Sequence, residues 1–196
     1  MKTLRPALVL TLFFAIVTGI AFPYLITTVA QATMPHQANG SMIVADGKVI
    51  GSALIGQSFA DDRFFHPRPS SSGYDANNSG GTNLGPTNPK LLEGAEGFDG
   101  VKQLAEQYRA LNGVPADVDL PVDAVTRSAS GLDPHISVAN AMLQAPRVAA
   151  KNELELEAVQ QLIKGATQDP VLGIFGEPTV NVLKLNASLQ ERQGQP

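Results

Sequence analysis

The 196-residue chain carries 14 basic and 18 acidic residues, a net charge of −4, and no cysteine. The acidic balance speaks against nucleic acid and against a basic surface that hugs lipid headgroups. The missing thiols exclude cysteine nucleophiles, disulfides and Cys-ligated zinc. Hydrophobic content is ordinary once the first apolar stretch is set aside, so the rest of the chain is long enough for one domain with a true core.

That first stretch, residues 7–30 (ALVLTLFFAIVTGIAFPYLITTVA), lies in a region free of Asp, Glu, Lys and Arg between Arg5 and Asp46. A helix of this length reaches about 30 Å, the thickness of a bilayer's hydrocarbon. Thr11, Thr18, Thr27 and Thr28 are tolerated because each hydroxyl bonds back to a carbonyl one turn earlier. Pro23 removes a backbone donor and is expected to bend or loosen the helix near its far end. Tyr24 suits the headgroup layer there, and Lys2 and Arg5 hold the start in the cytoplasm by the positive-inside rule. The competing reading is a cleaved signal peptide, with Ala30-Gln-Ala32 as the cleavage site. Against it, the apolar run exceeds the roughly 7–15 residues of a signal's apolar core. Either way the remaining chain is outside the cytoplasm. The expected layout is a cytoplasmic stub over 1–6, a span over 7–30, an extracytoplasmic domain over 31–190 and a polar tail over 191–196.

Asp46-Gly47 between Met42-Ile-Val-Ala45 and Lys48-Val-Ile50 predicts a β-hairpin, because both turn positions favour positive φ. Residues 74–88 (YDANNSGGTNLGPTN) show almost no apolar periodicity and form a long loop. Helical spacing begins at Val101, returns at Leu104, Tyr108 and Leu111, and stops at Gly113. Residues 124–130 read as a short strand. Ser137 caps a helix over 139–150, broken or restarted at Pro146. A further helix starts at Asn152, paired with Glu155 in a capping-box-like arrangement. It buries Leu156, Val159, Leu162 and Ile163, and ends at Gly165. Residues 179–185 (TVNVLKL) have the β-branched character of a strand. The predicted class is α+β, a single domain behind one span.

The loop Ser79-Gly80-Gly81-Thr82-Asn83-Leu84-Gly85 lacks the Lys-Ser/Thr of a phosphate loop, though its amides offer an anion nest. His36, His66 and His135 are too dispersed for a metal site. Asp133, His135 and Ser137 are close in sequence but lack the elbow of an esterase, and Asp133-Pro134 reads better as a turn into a helix. Gln144 pairs with Asn140 or backbone, or faces a partner. Arg63, Arg68, Arg127 and Arg147 are planar donors that suit carboxylate partners or lock loops of their own domain.

Seven motifs occur in register: Gly56-Gln-Ser-Phe59; Phe65-His-Pro-Arg-Pro-Ser70; Tyr74-Asp75; Ser79 to Asn88; Ser130-Gly-Leu-Asp-Pro-His-Ile-Ser137; Gln144 with Arg147-Val-Ala149; and Gly176-Glu-Pro with Val180-Asn-Val182 and Leu185-Asn186. Together they resemble the C subunit of the Kdp potassium-transporting P-type ATPase, over essentially the whole chain. The resemblance implies a non-catalytic subunit of an inner-membrane complex. Its partners there are a channel-like potassium subunit, a P-type ATPase subunit and a very small accessory subunit. It also implies a catalytic chaperone that raises the ATP affinity of the ATPase subunit, with Gln144 as the candidate nucleotide contact and no intrinsic cofactor. Arg68, Ser79, Gly80, Gly81, Asn83, Gly85, Asp133, His135 and Arg147 are the candidate partner and loop residues. ATP is cytoplasmic, however, whereas Lys2 and Arg5 place Gln144 outside. A role in stabilising the complex or guarding potassium's way in on the outer face suits that topology better. Without Lys2 and Arg5 the chain has 12 basic against 18 acidic residues, a net of −6, and a negative field above a pore concentrates cations. The alternatives are a signal-bearing periplasmic hydrolase using Ser137, His135 and Asp133, and an anion-binding module on the Ser79–Asn88 loop.

Overall fold

The computed structural model describes residues 3–45 and 47–193. They fall into two units that divide between Met42 and Ile43. The first is a continuous helix from Leu4 to Thr33, 30 residues long and apolar enough to cross a membrane. It comprises α1 (Leu4–Ile16), a π-helical turn over Val17–Ala21 and α2 (Phe22–Thr33), and the short α3 (Pro35–Ala38) follows it. The widened turn stands immediately before Pro23, as expected where a proline ring cannot donate to the carbonyl four residues back. Thr18 and Thr28 donate their hydroxyls to the carbonyls of Phe14 and Tyr24 at 2.7 and 2.8 Å. Thr33 does the same to Val29 O at 2.8 Å.

The second unit mixes helices and strands. β1 (Met42–Ala45) and β2 (Lys48–Ser52) form the two-stranded hairpin. Gly47 has φ +74° as its turn requires, while the expectation for Asp46 lies outside the described residues. Residues 53–88 carry neither helix nor strand. Then come α4 (Pro89–Glu93), α5 (Val101–Asn112), α6 (Val122–Val125), β3 (His135–Ser137), α7 (Val138–Lys151), α8 (Leu156–Ala166), β4 (Thr167–Gln168), β5 (Thr179–Asn181) and α9 (Val182–Gln193). The strands β3, β5 and β4 form an antiparallel sheet in that order, with Ile136 opposite Val180 and Thr167 on the other side of Val180. The helices α7, α8 and α9 all pack against the central β5. Phe65, Ile136, Ala141, Ala145, Val148, Val159, Ile163, Val180, Val182, Leu185 and Leu189 make the core.

Several elements form for the reasons their sequences give. Gly113, at φ +65°, terminates α5. Ser137 caps α7, its hydroxyl accepting from Asn140 N–H at 3.1 Å. Others depart from expectation. α7 runs unbroken through Pro146. That residue is exposed, and Met142, whose carbonyl loses its helical donor, lies on the same outer side, open to solvent. Asn152 ends α7 instead of starting α8. Glu153 takes φ +55°, and the N–H groups of Leu154 and Glu153 bond back to Ala149 and Ala150. This is a Schellman ending with Glu where glycine is usual, so the sequence gives little notice of it. Glu155 precedes α8 without a side-chain cap. Val159, Leu162 and Ile163 turn inward, whereas Leu156 is 40% exposed. Gly165 lies inside the last turn, and α8 reaches Ala166.

Two strand expectations fail. Residues 122–125 form a helical turn that ends at the extended Thr126, and 126–130 carry no strand. The run from Thr179 is extended for three residues and then becomes α9. Asn181 Oδ1 accepts from Lys184 N–H at 3.1 Å, an N-cap bond, and Val182, Leu185 and Leu189 follow at helical spacing on the buried side. β-branched character over 179–182 conceals the helical period that begins there.

Candidate functional site

The motif residues meet around one irregular segment, 62–66, which begins in a turn closed by Phe64 N–H on Asp61 O at 3.0 Å and lies among the helices of the second unit. The backbone N–H and C=O groups of such a segment need partners wherever they are buried. In a sheet those groups would find neighbouring strands, but here they find side chains. Asn186 of α9 accepts from Phe65 N–H and donates to Phe65 O, both at 2.9 Å. Gln144 of α7 does the same for the next residue, accepting from His66 N–H at 2.7 Å and donating to His66 O at 3.0 Å. Arg147 donates to the carbonyls of Asp62 and of Phe64, the latter at 3.0 Å. Asn152 donates to Arg63 O at 2.8 Å. Every carbonyl from 62 to 66 therefore receives a side-chain donor. The Phe65 ring, clamped in this way, is fully buried in the core.

α7 supplies most of this because it carries two adjacent buried stripes. Ala141, Ala145 and Val148 face the apolar core, and Asn140, Gln144 and Arg147 recur at i, i+4 and i+7 as a polar stripe. The stripe is internally bonded. Gln144 Nε2 donates to Asn140 Oδ1 at 2.9 Å and Arg147 Nη2 to Gln144 Oε1 at 3.0 Å. Arg147 Nε donates to Asn112 Oδ1 at 2.8 Å, and Tyr108 Oη to Asn140 Oδ1 at 2.8 Å. Asp123 anchors the near end, accepting from Ser137 N–H, Ser137 Oγ–H and Asn140 Nδ2 at 2.8–2.9 Å. Gln144 is 1% exposed and both its amide atoms are paired. A buried polar chain of this kind stabilises when complete and costs heavily when one member is lost.

The environment shifts the titrating groups accordingly. Burial, assisted by the Arg147 guanidinium, lowers the His66 imidazole below its ordinary value. Burial raises the Tyr108 hydroxyl and pushes Tyr74 up to about 12. Burial also lowers Arg147, partly offset by the attraction of Asp62.

The remaining motif residues close the surrounding loops. Arg68 Nη1 meets Asp133 Oδ2 at 3.0 Å, and Arg68 Nη2 reaches Thr126 Oγ1 at 3.4 Å. Asp133 Oδ1 accepts from His135 N–H at 2.9 Å, the backbone-bonding turn expected of Asp-Pro. Burial works to raise the Asp133 carboxyl, but hydrogen bonds from His135 and Arg68 outweigh it and hold it below the usual range. Tyr74 Oη donates to Arg68 O, and Ser128 N–H to Pro69 O. In the glycine loop, Gly80 N–H and Ser79 Oγ–H both donate to Ser130 O, at 2.8 and 3.1 Å. A Cβ on Gly81 would stand 2.8 Å from Ala129 O, so glycine here permits close backbone contact with 128–131. Asn83 is exposed at φ +55°, and Gly85 O accepts from Asn88 N–H in the turn before α4.

The structure thus joins Gln144 with Arg147, Arg68 with Asp133 and His135, and the 79–81 loop with 128–131. It does not bring Ser137, His135 and Asp133 together as a nucleophile and its base. Ser137 Oγ donates to Asp123 and accepts from Asn140 N–H, while His135 Nδ1 lies 3.7 Å from Asp133. Arg68, Arg127 and Arg147 serve their own domain, with Arg127 bonding Asp99 O at 2.8 Å and stacking over Phe98. Arg63 pairs with the nearby Asp61 at the surface. Among the described residues, no group of three or more His, Asp or Glu is placed to hold a metal ion. A cleft of about 210 Å³ borders the clamp, lined by His66, Tyr74, Tyr108, Asn112 and Gln144 among others. Sequence reasoning misses Asp123, Tyr108 and Asn112 as site members. The helical recurrence of polar residues at 140, 144 and 147 is the signal that leads to them.

The family described as K+-transporting ATPase, c chain, matches residues 4–191. The chain belongs to the KdpC family. Among its relatives is the potassium-transporting ATPase KdpC subunit of Mycobacterium tuberculosis strain H37Rv, 50% identical over 190 residues, or 96% of this chain and 97% of the relative. The subunit of the same name from Caulobacter vibrioides is 50% identical over 192 residues, 96% of this chain and 93% of the relative. That of Rhodospirillum rubrum is 48% identical over 196 residues, 98% and 97%. The family match takes in both the apolar helix and the clamp residues, which leaves the hydrolase alternative without support.

Proposed function

We propose that this chain is the accessory subunit of an ATP-driven potassium uptake complex, and that it acts by assembling and stabilising that complex without performing chemistry itself. The near-full-length family match carries the reading. The apolar helix Leu4–Thr33 serves as its membrane anchor, with the amino terminus in the cytoplasm and residues 31–190 outside, as the flanking Lys2 and Arg5 favour. Its partners are the channel-like potassium subunit, the P-type ATPase subunit and the small accessory subunit. Gln144 acts as a positioning residue for Phe65–His66, since its amide is buried and paired on both atoms. ATP, the ligand the resemblance implies, finds no free Gln144 amide in this arrangement.

One preparation tests the reading. The tagged chain, extracted from its own membrane in mild detergent, should bring the other subunits with it. A single cysteine at exposed Gln190, in a chain that otherwise has none, should be labelled by an impermeant thiol reagent in spheroplasts. A chain that purifies alone, or that is labelled only after lysis, would overturn the assembly role or the orientation respectively.

A further inference from the structure

Between β4 and β5 the chain makes a small hairpin that belongs to neither the core nor the clamp. Val171 and Phe175 exchange both backbone hydrogen bonds, at 2.9 and 3.0 Å, and Ile174 N–H closes the turn on Val171 O at 3.2 Å. Its apolar side chains point outward: Val171 is 68% exposed, Leu172 82%, Ile174 79% and Phe175 65%. Four large apolar residues contiguous on a protruding turn are unusual for a surface with nothing to meet. The backbone adds an independent sign. Leu172 and Gly173 both have positive φ, +57° and +73°, the type I′ pattern that suits Asn-Gly. A leucine in the left-handed region is sterically strained, and this one is 82% exposed and so gains little burial within its own chain. Strain kept at an exposed apolar tip indicates a function for that tip.

We propose that the 169–178 hairpin is the docking element through which this chain holds another integral membrane subunit of the potassium-transporting complex. The proposal rests on the accessory-subunit reading above and names the surface that carries it. Its occupant is an apolar pocket, rimmed by basic side chains, on that subunit. Charge selects this occupant. Exposed Asp169 and Glu177 flank the tip, and no Lys or Arg occurs between Lys164 and Lys184. A lipid surface is disfavoured, because binding an anionic interface relies on basic side chains beside the apolar ones, and the charges beside this tip are acidic. A second copy of the chain would bring two acidic collars together across a symmetric contact. A basic rim around an apolar pocket satisfies both features, with Leu172 and Phe175 as the buried anchors.

The test uses the full-length chain expressed with its complex, with a photo-reactive benzoylphenylalanine at Leu172 and, as a control, at exposed Lys184 of α9. Light should join position 172, and not 184, to another subunit of the complex. In parallel, Leu172→Asp with Phe175→Asp should reduce the other subunits recovered in mild detergent by about tenfold or more. The thermal midpoint of the purified chain should be unchanged. Adducts from 172 only with lipid, only with a second copy, or not at all would overturn the proposal, as would full recovery of the complex by the double variant. If the unmodified chain recovers no other subunit, the accessory-subunit reading itself fails. Recovery of the complex by the unmodified chain together with a silent position 172 removes only the hairpin.

Discussion

Two irregular segments of the second unit, 62–66 and 169–178, are built in opposite ways. The first has no strand beside it and one turn bond, from Phe64 N–H to Asp61 O, yet its carbonyls are paired one by one with Arg147, Asn152, Asn186 and Gln144, and its Phe65 ring is buried. The second has regular hairpin bonds of its own, and it exposes nearly all its apolar surface. Regularity of backbone bonding and participation in the core are therefore separate properties. Side-chain amides at fixed helical positions substitute for a neighbouring strand, so irregular chain becomes as fixed as sheet. A hairpin bonded only to itself stays available to something else.

The sharpest way to break this contrast is to remove the clamp. Gln144→Leu keeps the volume but leaves His66 N–H, His66 O, Asn140 Oδ1 and Arg147 Nη2 without a partner that Gln144 now provides. With unmade buried bonds at about 1–3 kcal/mol each and partial relaxation, the loss should be about 3 kcal/mol. Denaturant unfolding of the full chain in detergent measures it, and a loss below about 0.5 kcal/mol would show that the clamp carries no weight.

Acid sharpens the same side of the contrast. The folded-state value of His66 is lowered by burial, so the unfolded chain binds the proton more readily. Stability from this group is then complete above the ordinary histidine value of about 6.5 and is lost as pH falls below it. Unfolding profiles should weaken in that range and flatten on His66→Gln. At lower pH the depressed Asp133 carboxyl acts with the same sign, its contribution falling away below the ordinary carboxylate range.

The smallest effect is expected at the other segment. Leu172→Asn keeps the positive φ at lower strain and removes no internal contact, so stability should stay level or rise by about 0.5 kcal/mol. A clear destabilisation on thermal melting would mean that the hairpin tip supports its own domain after all.

Much of this was legible in the residues themselves. The apolar span with its proline-loosened turn, the Gly113 terminus, the Ser137 cap and the Asp133 turn each follow from short-range chemistry, and all are present. What the sequence concealed depends on partners distant in the chain. Residues 179–185 satisfy a strand's preference until Leu185 and Leu189 find the core and draw the chain into α9. Glu153 accepts a left-handed conformation because Leu154 then packs on the core. At the site, Gln144 and Arg147 stood out by type, but their targets lie some 80 residues earlier and are backbone groups. No side-chain pattern announces a backbone partner. Asp123 gives no signal in sequence, because one acidic residue in a proline-punctuated stretch looks like solvent-facing charge until Ser137 and Asn140 converge on it.

Native-state amide hydrogen exchange of the full chain, resolved to single residues, tests the central claim most directly. If side-chain amides make 62–66 part of the core, the N–H groups of Phe65 and His66, bonded to Asn186 and Gln144, should exchange as slowly as those of α7. Those of Val171 and Phe175, bonded only across their own turn, should exchange far faster. Fast exchange at Phe65 and His66 alongside a protected α7 would contradict the account, since the clamp would then open without the fold.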